Sequence, residues 1–384
     1  VERAVKDGRH DAKNPILNWR KVVAQESVRH ERWNANRNVL AWKFLTGVEY
    51  NDPEKFPYSA VIDRKLGVKD AMALLRLHED YIGQDQELYH SKSEGICRTT
   101  SHDSIVYNLT ADPTLTEAWK TLGRPCQSVF VPLYPLAGPA KGTAFTDPAT
   151  ATKEHFAGTP AMFDYRADFT PHSVFSASNN AIDYLRGDEL AKRTQLIQAE
   201  EDKFMKDRAA VTKKAAGLKG EERTKFLHDY NQKSYDHVLK IMQAENARLM
   251  PNKVKILADV VKADGDGTVD FALLGAKGHE VLSANMEATR AGMSANQLNS
   301  TRQWKNFAPA EKMVYKDVNN DGITDVVFTF KAKDVTKGAV AGAAMDLWLY
   351  TQINGHRVTG FDVVPVENDK VKMNKGARDG KGLL

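Results

Sequence analysis

At Pro251 the hydrophobic pattern of this chain changes period, and few folds accommodate such a change. Upstream, Leu190, Ile197 and Phe204 fall at heptad spacing, and Phe226, Tyr230, Val238 and Ile241 mark a second arm. The connection "AAGLKGEE" puts Gly217 and Gly220 at a turn, so the segment reads as a helical hairpin. Its remaining faces are crowded with Lys, Glu, Asp and Arg, which predicts a solvated antiparallel pair. Downstream, "KVKILADVV", "TVDFALLG", "KMVYKD", "DVVFTFKAK", "AMDLWLYTQI" and "RVTGFDVVPV" are short alternating runs separated by Gly, Asp and Asn. That is the pattern of an all-β sandwich. The chain is therefore expected to be α+β, with a boundary near 251, a β-sandwich over 251–368 and a loosely held tail over 369–384.

The first half is mixed. Trp19, Val22, Val23, Val28, Trp33, Leu40, Trp42 and Phe44 predict helix over 16–46, ended by Gly47. A second helix is expected over Val68 to Tyr81, with Ala71, Leu74, Leu75 and Leu77 apolar. Strands are expected near 104–110 and 127–134, separated by a segment carrying Trp119. "SVFVPLYPL" is apolar throughout, as in a strand covered on both faces. Residues 135–180, rich in Pro, Gly, Ala, Thr and Asp, read as a long surface loop region.

Charge excludes one class of partner. With 54 basic and 50 acidic residues, the net charge of +4 is too balanced for a nucleic-acid reader. No apolar stretch approaches the roughly 20 residues of a membrane span. Val1 to Asn14 are polar and hold no apolar run of a signal peptide. The 2 cysteines, Cys97 and Cys126, belong to no C-x-x-C pair, which argues against zinc held through cysteine. They are either two buried thiols or one cross-strand disulfide, and the second reading places the protein outside the reducing cytosol. We expect the disulfide, since both lie at comparable strand entrances.

The clearest local motif is "DVNNDGITD". Asp317, Asn319, Asp321 and Asp325 occupy loop positions 1, 3, 5 and 9, Gly322 occupies position 6, and the Ile323 carbonyl can add an oxygen. Oxygens at odd positions curl around one point, as calcium requires. Position 12 is Phe328 rather than Glu, so the motif is not an EF-hand but a structural calcium loop between two strands. The same residues also suit a metal-free Asx-rich turn. "DGDGTVD", with Asp264, Asp266 and Asp270, is a weaker copy. His78-Glu79 resembles half of a metal site, but no second His lies one turn away. His102, Asp103 and Ser104 are the residue types of a hydrolytic triad, yet adjacent strand residues face opposite ways and cannot form one. Arg98, at the entrance to an apolar strand, needs a partner. It pairs with Asp103 or Glu94, or it lines a pocket for a substrate carboxylate or acyl group.

In order along the chain, "RWNANRNVLAWKFLTG", "FPYSAVIDRKLGVKDAMALLRLHEDYIG", "ICRTTSHDSIVYNL", "WKTLGRPCQSVFVPLYPL" and the helical hairpin resemble the secreted dipeptidases called C69 peptidases. These are N-terminal-nucleophile hydrolases related to penicillin acylases and bile-salt hydrolases. The resemblance covers about residues 15–250 and assigns 1–250 to the hydrolase. The β-rich remainder looks like an accessory domain of secreted bacterial proteins.

The resemblance implies the later part of an αββα sandwich and amide hydrolysis by an amino-terminal cysteine whose own α-amine serves as base. Val1 has no nucleophilic side chain, and Cys97 and Cys126 are internal, so that cysteine is expected on an upstream segment of the same precursor. Arg98 is then the substrate-binding residue of this portion. The implied setting is secreted, periplasmic or at the cell surface, with a small peptide as substrate and an oligomer left open. The other reading is a non-catalytic surface or assembly protein on the same scaffold.

Overall fold

The computed structural model describes residues 5–6, 13, 32–48, 59–78, 95–97, 101, 103–140, 175, 177–185, 187–263, 265–293, 307–337, 341 and 343–370. Helices and several sheets make the chain α+β, in two compact units, Val1–Arg98 and Thr99–Leu384. The division thus falls at Arg98, whereas the change from helix to strand at 251 lies inside the second unit.

In the first unit, α1 (Arg32–Thr46) ends where expected. Gly47 takes a φ of +73°, open to a residue without Cβ, and its N–H bonds back to Lys43 O at 2.8 Å. Helix α2 (Val68–Leu75) starts with the Asp70 carboxylate accepting the Gly67 N–H at 2.8 Å, and it buries Val68 and Met72. The α-helix stops short of the expected Tyr81 because the last N–H groups, of Arg76 and Leu77, tighten onto Ala73 and Leu74. The earlier part of the expected first helix, residues 16–31, lies outside the described residues.

The second unit opens with the antiparallel sheet β1 (Asp103–Asn108), β2 (Glu117–Leu122) and β3 (Val131–Leu133), in that order. The segment carrying Trp119 is the central strand, not a connection. β2 is buried on both faces, with Trp119 wholly enclosed and Glu117 only 2% exposed beneath it. Glu117 is tolerable there because Trp119 Nε1 (3.2 Å) and Arg208 Nε (2.8 Å) both donate to its carboxylate. β1 is less buried than its sequence suggests. Val106 faces the core while Ile105 and Tyr107 face water.

Helices α3 (Asp188–Gly217) and α4 (Gly220–Leu249) form the expected hairpin. Acids open each helix and a base closes it, as the helix dipole favours. The expectation of solvated charge fails at three positions: Arg193, Glu200 and Glu201 are buried with Ile197 and Phe204. Residues 177–180, at the end of the expected loop region, are helical, and this helix runs on to 185 almost wholly buried. Residues 141–174 of that loop region, and 371–384 of the tail, lie outside the described residues.

After Leu249 the regular structure of the described residues is strand, apart from one short helical turn. One sheet has the order β4 (Val254–Ile256), β6 (Thr268–Leu273), β10 (Asp325–Lys331), β9 (Lys312–Lys316). The other has β5 (Val261–Lys262), β12 (His356–Glu367), β11 (Ala343–Ile353), β7 (Arg290–Met293), β8 (Ala308–Pro309). A single turn, α5 (Ala332–Val335), follows β10. Ile256, Phe271, Leu273, Val326, Phe328 and Phe330 of the first sheet share one core with Leu347, Leu349, Val364 and Val366 of the second.

A second, aromatic cluster crosses the 251 position. Tyr184 lies 5.0 Å from Tyr350, and Trp348 stacks on Phe361 at 4.8 Å. Tyr184 Oη donates to Thr351 O at 2.7 Å, while Arg357 donates to Tyr184 O at 3.0 Å. Helical and β segments are thereby tied in one unit. Tyr184→Phe removes the hydroxyl and strands a buried carbonyl, so it should cost about 1–2 kcal/mol. Urea unfolding followed at 222 nm and by Trp fluorescence should show that loss in both signals together. A loss confined to one signal would mean that the seam does not couple the two segments.

Candidate functional site

The turn between β2 and β3, "GRPCQSV", is the most heavily clamped loop among the described residues. Gly123 is required at its start. A Cβ there would come within 2.6 Å of the Asn179 amide and 2.8 Å of Ser128 Oγ, and its φ is +134°. Arg124 Nη1 pairs with Asp183, and its Nη2 donates to Asn180 Oδ1. Gln127 Nε2 donates to the other oxygen of Asp183 at 2.7 Å. From α3, Arg193 Nη1 donates to Gln127 O at 2.9 Å and Ser178 Oγ at 3.2 Å, and Arg193 Nε reaches Glu245 of α4 at 3.3 Å. One residue further along, Phe130 N donates to Glu201 at 2.8 Å.

Burial pushes the Arg193 guanidinium down from its usual value, and the Glu245 charge opposes that push. Burial also works against ionisation of Glu245, but bonds from Arg248 and the charges of Arg193 and Arg248 outweigh it. Its carboxyl lies below the ordinary range, so the pair is ionic. Arg193 is also placed to feel the charge of Cys126, which stands in the 125–127 turn, partly exposed. The clamped turn thus carries one free thiol.

The expected disulfide is not formed. Both cysteines are free thiols; Cys97 lies in the bend at 95–97 and Cys126 in the turn at 125–127, so neither stands in the strand setting that the expectation assumed. Arg98, His102 and Asp264 lie outside the described residues. Asp103, offered as one partner of Arg98, pairs across the ladder with Lys120 at 3.0 Å.

The "DVNNDGITD" hairpin does join two strands, β9 and β10. Its acids share the work unequally. Asp317 accepts the Gly322 N–H at 2.9 Å and the Asp321 N–H at 3.3 Å, which curls the loop on itself. Asp321 accepts from Ile323 N at 2.8 Å and from Asn319 Nδ2 at 2.8 Å. Asn320 and Gly322 take the left-handed turns, at φ 58° and 82°. Asp325 differs: it has no exposed surface, and its two oxygens accept Gly275 N and Val318 N, each at 2.8 Å. Position 9 of the motif is thus a latch between β10, the loop and the chain after β6. In the weaker copy, Asp270 accepts from Thr329 and Asp266 pairs with Lys333.

In comparison with known proteins, no family model matches the chain and no curated protein matches it. The residues that sequence reasoning missed are Arg124, Asp183, Arg193 and Glu245. One signal was present: Arg193, Glu200 and Glu201 interrupt the apolar face of α3 at the spacing of Ile197 and Phe204.

Two predictions follow the unequal roles of the aspartates. Asp325→Ala should destabilise the chain by roughly 3 kcal/mol, since it strands two N–H groups, whereas Asp321→Ala should change stability far less. Denaturant midpoints in chelator decide this, and equal losses would refute the latch. Backbone N–H bonds, chiefly from Gly322, hold the Asp317 carboxyl below its ordinary 3.8. Its stabilising effect is therefore full above that value and fades as pH falls through the lower, folded-state value. The melting-temperature gap between wild type and Asp317→Asn should close on acidification below pH 3.8.

Proposed function

We propose that this chain is the carboxy-terminal portion of an extracytoplasmic, dipeptidase-like amide hydrolase whose cysteine nucleophile lies on a separate upstream segment. The observation that supports it best is the run from Asp103 to Leu249. A three-stranded antiparallel sheet is followed by a helical hairpin, and buried ion pairs hold both against the β2–β3 turn. This is compatible with the later part of an αββα hydrolase sandwich. The two sheets beyond Val254, with their common core, are then an accessory β-sandwich.

Chemically, the reading divides labour between segments. The thiol and its own α-amine come together on the upstream segment, because neither Cys97 nor Cys126 carries a free α-amine. This chain supplies the rigid second half, with Arg98 offering two parallel N–H donors to a substrate carboxylate. The aspartate-rich hairpin takes calcium through Asp317, Asn319, Asp321 and the Ile323 carbonyl. Asp325, whose oxygens already hold two backbone N–H groups, turns toward the metal only by releasing one of them.

The self-curled hairpin and the water-facing Val314 and Tyr315 of β9 favour a second reading, a non-catalytic surface protein. Co-expression with the upstream segment separates the two. The complex should hydrolyse dipeptides and lose activity with a thiol reagent, while residues 1–384 alone should be inactive. Arg98→Lys should lower kcat/KM and Arg98→Ala should lower it further. Dipeptide hydrolysis by residues 1–384 alone would end the divided-nucleophile reading, and an inactive complex would favour the surface protein. Calcium at 100 times its Kd should stabilise the full chain by about 2.7 kcal/mol. An unchanged melting temperature at millimolar calcium would leave the hairpin a plain turn.

A further inference from the structure

His78 is the half-motif that the hydrolase reading leaves unused. Sequence reading found no second histidine one turn away, but the first unit provides a ligand of another kind. The His78 ring and Cys97 Sγ offer ligand atoms within 4.8 Å of each other. We infer that His78 and Cys97 are ligands of a soft divalent metal ion, zinc being the natural occupant.

The bend at 95–97 is fixed onto the end of α2, because Cys97 N donates to Leu77 O at 3.0 Å. On its other side, Arg37 Nε of α1 donates to Gly95 O at 3.2 Å. Gly95 makes the approach sterically possible. A Cβ there would stand 3.1 Å from His78 Cα and 3.2 Å from Leu77 O, and neither backbone atom can yield cheaply. So the segment that carries the thiol is pressed directly against the residue that carries the imidazole. The chain spends two long-range hydrogen bonds and a glycine on that juxtaposition.

Chemistry narrows the use. Cys97 is 2% exposed, too enclosed for a substrate to reach its sulfur. His78 is half-buried, which leaves an entry path for something the size of an ion. Thiolate and imidazole are the two side-chain ligands that zinc prefers, at about 2.3 Å and 2.0–2.1 Å, a bridging span of up to about 4.4 Å. The observed separation limit is close to that span, so a small swing of the imidazole completes it. Calcium and magnesium, which take oxygen, do not suit this pair. The two side chains supply half of a tetrahedral set, and the remaining donors are counted by the test below. This inference is independent of the hydrolase reading.

Cobalt(II) is the probe, because a thiolate bound to it gives a near-ultraviolet charge-transfer band. Reduced full-length chain should bind one equivalent with that band, and zinc should displace it. Cys97→Ser and Cys97→Ala should both lose the band, and His78→Gln should bind about tenfold or more weakly. Circular dichroism of the metal-free variants checks that they fold. Should they not, X-ray absorption of the zinc-loaded wild type decides, with at least one sulfur and one imidazole expected in the shell. Absence of the band in excess cobalt, a shell without sulfur, or equal affinity in wild type and folded variants would overturn the assignment.

Discussion

A guanidinium without exposed surface, that of Arg193, is the interaction on which the second unit depends. An unpaired charge in that position would cost several kcal/mol, so everything around it is arranged as an answer. Glu245 of α4 supplies the counter-charge, Gln127 O and Ser178 Oγ accept from the same nitrogen, and Met242 Sδ approaches at 3.8 Å. Four segments meet at one side chain: α3, α4, the 177–185 helix and the β2–β3 turn. An apolar residue there would pack the hairpin equally well but would not fix the turn. The buried charge therefore specifies where the turn sits more than it stabilises the fold.

The same logic recurs on a smaller scale. Glu117 under Trp119, Glu201 at Phe130 N and Asp325 in the hairpin are acids with almost no exposed surface. Each has an oxygen engaged by an N–H donor from a distant part of the chain: Arg208 Nε for Glu117, Phe130 N for Glu201 and Gly275 N for Asp325. In each case a carboxylate joins a strand or turn to another segment of the chain. Helix α3 carries both Arg193 and Glu201, and Arg208, about two turns beyond Glu201, reaches Glu117. That helix reads the three-stranded sheet along its length through charge, while its apolar residues do the packing.

These joints explain what could be read in advance. The hairpin, the change of period at 251 and the strands beyond it were legible because each repeats a local pattern many times. Gly47, Gly217 and Gly220 were legible because a turn writes its chemistry at one position. The Trp119 strand was not, since "EAWKTL" mixes charged and apolar residues without a period of two, in a place where both faces turn out buried. The 177–185 helix was hidden by the Pro- and Gly-rich composition around it. Buried charges were read as solvated, because a sequence gives a residue's position on a helix face and not the partner that neutralises it. The strand settings expected at Cys97 and Cys126 are likewise not found: a bend and a turn stand there, and both thiols are free.

The calcium motif shows how far a pattern of side chains can be trusted. Spacing alone gives Asp317, Asn319, Asp321 and Asp325 equal standing as ligands. Burial separates them, for three are at the surface and one is enclosed. The three exposed residues curl the loop through backbone N–H bonds, and a cation would compete for the same oxygens. Metal binding must therefore be stronger than those bonds in the same loop, and the turn is stable without it. Asp325 bears a second constraint, since surrendering either N–H would open the joint with Gly275 or the start of the loop. A loop built in this way holds its shape first and takes a metal second. Any calcium it binds would tighten a hairpin that already exists rather than create one.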